Sequence, residues 1–210
     1  MPHSKTDPEV TPSRRTVLAT GLLAGAAGAL GLVAADPVRG ADRADLAILQ
    51  AAHDLESQAI WAYGAAAGKL SSTDVGRTVL ALALRNQEDH KKHRTALAEA
   101  IRDLGGTPAA PKPTYDLSAY LKAGEGGLDS DANIAKLALA LEVDAVLAYQ
   151  AAFGKLRTPA IQAAAATILP VESGHVTAIR AVFHTLVPAV EAVPAAFLSA
   201  ATREVWVLRV

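Results

Sequence analysis

The chain has 210 residues, 51% of them hydrophobic and 20% charged, with a formal net charge of −1 and no cysteine. That composition is globular rather than disordered. It excludes disulfides, thiolate metal sites and Cys nucleophiles, and it offers no basic stripe for nucleic acid.

Residues 1–12 are polar and Pro-rich. Ser13-Arg14-Arg15-Thr16-Val17-Leu18 follows, and then an apolar stretch to Ala35 carrying Gly21, Gly25, Gly28 and Gly31. The pattern resembles a twin-arginine export signal, with Val17 where Phe is commoner. The same stretch is long enough to just span a bilayer as an uncleaved anchor, but its Gly/Ala content fits a leader better than a Leu/Ile-rich span. Val33-Ala34-Ala35 supplies small residues for cleavage. Residues 1–40 are therefore set aside as export signal and linker. Residues 41–187 are expected to form the folded domain, and 188–210 a C-terminal extension. The expected location is across the cytoplasmic membrane: periplasm, cell envelope or medium.

Four helices are expected after the leader. The first runs from Asp42 or Asp45 to Gly68, with an apolar stripe through Leu49, Ala52, Ile60 and Tyr63. The second follows the N-cap-rich run Ser71-Ser72-Thr73-Asp74 and stops at Gly105-Gly106. The third starts near Asp129-Ser130 and ends near Gly154. The fourth opens with Thr158 as N-cap and Pro159 at the first helical position, carries Pro170 inside it, and ends at Pro188. A short fifth helix over Ala189 to Thr202 is expected, with Pro194 against it.

Short connections make antiparallel hairpins of helices one and two, and of three and four. The Gly/Pro-rich stretch 105–128 between the pairs suits one long crossover. The hairpins also repeat. LESQAIWAYGAAAGKL, residues 55–70, matches LEVDAVLAYQAAFGKL, residues 141–156, at ten of sixteen positions. With the register shifted by four residues for loop length, HRTAL from His93 falls on HVTAI from His175.

Each expected helix interrupts its apolar stripe with a polar side chain, and buried polar groups need partners. The interruptions are Glu56, Glu142, the pair Glu172 and His175, and the pair His90 and His93 in register with it. A spacing of i, i+3 places both members of a pair on one helix face, about 4.5 Å apart in height. Three carboxylates and three imidazoles suit iron or manganese, with zinc also compatible. A metal-free Glu–His hydrogen-bond network is the alternative.

One Glu on each of two helices, with Glu-x-x-His on the other two, resembles the di-iron or di-manganese pattern of ferritin-like proteins. Glu56, Glu142 and Glu172-x-x-His175 match it; His90-x-x-His93 departs, because His90 stands where that pattern has Glu. The chain looks most like bacterial ferritin-like domains of unassigned function that follow export signals. The resemblance covers residues 45–186. It implies an all-α, ferritin-like four-helix bundle of two repeated hairpins. It also implies metal ligands at Glu56, His90, His93, Glu142, Glu172 and His175, and oxidase, ferroxidase or peroxide chemistry. A non-catalytic binding or stress-protection module, with a vestigial or single-metal site, is the competing reading. No organic cofactor is predicted. Metal ions are the expected partners, in a monomer or homodimer that meets a membrane only through an uncleaved leader.

Lesser candidates are Asp89, one turn before His93, as an orienting acceptor, and Glu88 as a substitute if the register differs. His53 stands at the edge of the site, and His184 is read as structural. Tyr63 and Tyr149, two turns past the Glu pair, are expected in the core and out of ligand reach. The tail VWVLRV is read as either a cap on the bundle or a docking element.

Overall fold

The computed structural model describes residues 40–210. The expected export signal, residues 1–40, lies outside the described residues but for its last position. Four long helices dominate: α1 (Gly40–Ala67), α2 (Asp74–Asp103), α4 (Asp131–Phe153) and α5 (Pro159–Leu186). Two short ones, α3 (Ser118–Lys122) and α6 (Arg203–Trp206), lie in the crossover and the tail. There is no strand among the described residues, and none of their helices is long and apolar enough to cross a membrane.

α1 packs mainly on α2, and α4 on α5, as the short loops require. Thr73 caps α2 by accepting from the Gly76 N–H at 3.1 Å, and Gly105 ends it at φ +76°, where only glycine avoids strain. Ser130 caps α4 through the Asn133 N–H. The N-terminus of α5 differs from expectation. Thr158 occupies the cap position, but its side chain makes no capping hydrogen bond. The fully buried carboxylate of Asp45, on α1, takes that role and accepts from the backbone N–H groups of Arg157 and Thr158 at 2.9 and 2.8 Å. Asp131 likewise accepts from the Ser71 N–H at 2.8 Å. Asp45 and Asp131 are separated by the same 86 residues as Glu56 and Glu142, so each hairpin braces the turn of the other. α5 continues unbroken through Pro170.

The crossover is tied along α1. Gln50 bonds Thr107 and Ala109, Lys112 reaches Asp54 at 2.6 Å, and Tyr115 stacks at a tilt on Trp61 with centroids 5.9 Å apart. The expected fifth helix does not form. Residues 187–202 are turns and bends, because Pro188 and Pro194 remove donors that a helix would use, and only α6 follows. The tail is a cap. Trp206 and Val207 are buried in a core with Val79, Val143, Val176 and Phe183. Buried Arg180 donates to the Trp206 carbonyl at 2.6 Å, and Arg203 clamps Glu125 and Asp144. A second core holds Leu49, Leu97, Ile101, Leu104, Tyr149 and Ile168. Along α2 and α5, the polar interruptions fall between these two cores.

Candidate metal centre

Glu56 comes from α1, His90 and His93 from α2, Glu142 from α4, and Glu172 and His175 from α5. The fold brings all six together. They form two overlapping groups, Glu56, His90, His93 and Glu172, then His90, Glu142, Glu172 and His175. In each group one donor atom per residue lies within 4.8 Å of the others. His90 and Glu172 belong to both. Five of the six are buried, and His93 is nearly so.

His90 sits at the middle. Its Nδ1 is 2.8 Å from Glu56 Oε2 and its Nε2 is 3.0 Å from Glu142 Oε1, so its ring joins the carboxylates of the two hairpins. His175 turns Nδ1 inward, 3.4 Å from Glu142 Oε2 and 3.3 Å from Glu172 Oε2. Its Nε2 faces Asp89 Oδ2 at 3.5 Å, so Asp89 orients this imidazole rather than that of His93. Arg85 and Lys92 share the same carboxylate. His93 Nδ1 lies 2.9 Å from Glu172 Oε1 but out of line for a hydrogen bond. As a result, His93 Nδ1 and both carboxylate oxygens of Glu172 are buried with no hydrogen-bond partner.

The electrostatics follow from burying three acids beside three bases. Burial disfavours a charged His90, but Glu142, Glu56 and Glu172 outweigh it and push its pKa up to about 11. His175 is likewise pushed up to about 10 by Glu142 and Glu172 against its burial. Burial would raise Glu142, yet His90 and His175 hold it well below the usual carboxylate range. Glu56 moves the other way, raised by burial and by the Glu172 charge.

Tyr63 and Tyr149 are buried in the core as expected, and their hydroxyl partners are carboxylates of the cluster. The Tyr63 hydroxyl donates to Glu142 Oε1, and the Tyr149 hydroxyl donates to Glu56 Oε1. Each tyrosine crosses to the carboxylate of the other hairpin. The pairs 63 with 142 and 56 with 149 run in opposite directions, so α1 and α4 are antiparallel. Helical side chains tilt toward the N-terminus, which brings each phenol back to the level of the facing Glu. Burial and the adjoining carboxylates hold both phenols protonated. Asn86 Nδ2 donates to the Tyr63 hydroxyl at 3.1 Å. The signal for the tyrosines was present in both matched segments, as Glu followed seven residues later by Tyr. Nothing in the pattern pointed to Asn86.

The other candidates stay outside the cluster. His53 is buried, and burial followed by the Arg94 charge lowers its pKa. Glu88 is a surface partner of Lys91, and His184 bonds the Val190 carbonyl.

A helical bundle with a buried Glu/His cluster at its centre, able to hold a metal ion, defines a class of helical metal-site proteins. Residues 44–185 match the family described as "Ferritin-like domain", and the chain belongs to that family. A crystal structure of a conserved hypothetical protein from Mycobacterium tuberculosis is similar, with TM-score 0.57 and 24% identity. That match covers 75% of this chain and 99% of the other, and at this identity it speaks for the fold alone. Nothing among the curated proteins matches.

Proposed function

We propose that this protein is an exported ferritin-like metalloprotein that holds two adjacent iron or manganese ions and reacts with dioxygen or peroxide. The observation that carries the reading is Glu172. It is a fully buried carboxylate with neither oxygen hydrogen-bonded, set among His90, His93 and His175. Its neighbours are imidazoles, His93 Nδ1 at 2.9 Å, His175 Nδ1 at 3.3 Å and His90 Nδ1 at 3.8 Å, and a cation held between them is the further partner this donor set fits. One position would draw on Glu56, His93 and Glu172, the other on Glu142, His175 and Glu172, with a neutral His90 able to offer a single ring nitrogen to one of them.

Bound iron or manganese would supply the electron transfers with the oxidant. The chain's own residues do the rest. Tyr149 holds Oε1 of Glu56, Tyr63 holds Oε1 of Glu142, and Asp89 fixes the ring of His175. Export rests on Ser13-Arg14-Arg15 and the apolar run after it. The ten-in-sixteen match of the hairpins, with the crossed Tyr–Glu pairs and the paired Asp45 and Asp131 braces, supports an origin by internal duplication.

One observation favours the non-catalytic reading. Both ring nitrogens of His90 already have carboxylate partners, so a protonated His90 serves in place of a cation between Glu56 and Glu142. Metal analysis separates the two. Wild-type protein loaded with ferrous iron or manganese is expected to retain about two equivalents, set by the two donor groups, and the Glu142→Ala/Glu172→Ala variant none. Equal metal content in both proteins would refute the ligand set. Wild type that retains none, with its melting temperature indifferent to chelator, would leave the non-catalytic module.

A further inference from the structure

A cavity of about 150 Å³ runs from the cluster into the half of the bundle that holds Tyr63. Glu56, His90 and Glu142 stand at its inner end. Its walls are apolar and small, with Val79, Ala83, Ala138 and Ile179 among them. Trp61 and Leu128 also line it, and Leu128 is 38% exposed, so the cavity reaches solvent on that side.

Three features define what fits. The first is size: an apolar cavity of this volume accommodates a benzene-sized molecule. The second is charge. The lining contains Glu56, Glu142 and Asp144 against His90 and no Lys or Arg, so an anion would meet more negative than positive charge. A hydrated cation would lose its water against alanine and valine walls. The third is hydrogen-bonding capacity. Tyr63, Asn86, His90 and Glu142 are already engaged with one another, and Arg203 holds Asp144. Beyond the Gln58 amide, little polar capacity is left for a guest.

We infer that this cavity binds a neutral, apolar molecule of single-ring size and holds one end of it against the Glu56–His90–Glu142 face of the cluster. Calling that molecule a substrate rests on the proposed metal centre; the binding itself does not. The chemical class is an unsubstituted or alkyl-substituted arene, or a compact hydrocarbon of similar volume, and not a fatty acid or other carboxylate.

Trp61 provides the readout. Bromobenzene, whose heavy atom quenches indole emission, is titrated into metal-free and metal-loaded protein, with benzoate as the anionic control. Saturable quenching is expected in both forms, absent in Trp61→Phe and absent with benzoate. Ala138→Leu and Ala83→Leu fill the cavity from two different helices. Each is expected to weaken bromobenzene binding at least about tenfold, the loss of some 1.4 kcal/mol, while helicity and metal stoichiometry stay at wild-type values. Quenching that rises linearly without saturation in the wild type would overturn the inference. So would equal affinity in both leucine variants, or benzoate binding as tightly as bromobenzene. Protein that binds bromobenzene but retains no metal would uphold the cavity and defeat the metal centre. Protein that retains metal with unsaturable quenching would do the reverse.

Discussion

The two ends of the bundle carry the same polar device and treat it differently. At one end Tyr63 reaches Glu142, and at the other Tyr149 reaches Glu56. Beyond Tyr149 the interior is filled by Leu49, Leu97, Ile101, Leu104 and Ile168. A groove of about 190 Å³ between α1 and α4 touches Tyr149, but no member of the Glu/His cluster lines it. Beyond Tyr63 the interior opens into the cavity, and the residue beside the phenol is Asn86. The register that sets His93 on His175 sets Asn86 on Ile168. The Asn donates to the Tyr63 hydroxyl. Ile168 offers Tyr149 nothing but packing. The comparison teaches that one half of the bundle is spent on rigidity, while the other keeps room next to the same carboxylates.

The largest expected contrast is in core truncation. Ile101 is fully buried at the filled end, and Ile101→Ala is expected to cost about 2–5 kcal/mol in chemical denaturation. A loss below about 1 kcal/mol would mean that the filled end is not the rigid one. The two tyrosines give a smaller contrast. Tyr63→Phe strips a partner from both Glu142 and Asn86, whereas Tyr149→Phe strips one from Glu56 alone. Each buried polar group left without a partner costs about 1–3 kcal/mol, so Tyr63→Phe should be the more damaging by about 1 kcal/mol in metal-free protein. Equal losses would remove Asn86 from the account.

The smallest effect concerns the tail that closes the open end. Arg203 bonds Glu125 through two nitrogens at 2.7 and 2.8 Å, and this guanidinium holds the Glu125 carboxyl below its ordinary value of 4.5 despite burial. A carboxyl with a depressed folded pKa stabilises the fold at pH above its unfolded value. That stabilisation fades as pH falls through the folded value. The melting-temperature gap between wild type and Glu125→Gln is therefore expected to be widest near neutrality and to close in acid. A gap that does not vary with pH would detach the tail from this ion pair.

Much of this was legible in the sequence because it is written in periodicity. The helices, the short–long–short connections and the six polar interruptions all appear as spacing, and the six polar residues do meet. What was not legible depends on how helices face one another. Whether Tyr63 lies in or out of reach is decided by the antiparallel setting of α1 against α4, which no single helix records. Asp45 caps a helix more than a hundred residues away, and a local reading gave that task to Thr158. Asn86 looks like an ordinary polar residue until Tyr63 is placed beside it. The expected fifth helix failed where Pro188 and Pro194 outweighed the alanines around them.

The central claim is that Glu172 is a metal ligand shared between two positions. Anomalous diffraction at the iron and manganese edges, on crystals of metal-loaded protein, tests it most directly. The account predicts two peaks, both within bonding distance of a Glu172 oxygen, one beside His93 and the other beside His175. A map with no peak near Glu172, from protein that nevertheless carries stoichiometric metal elsewhere, would contradict it.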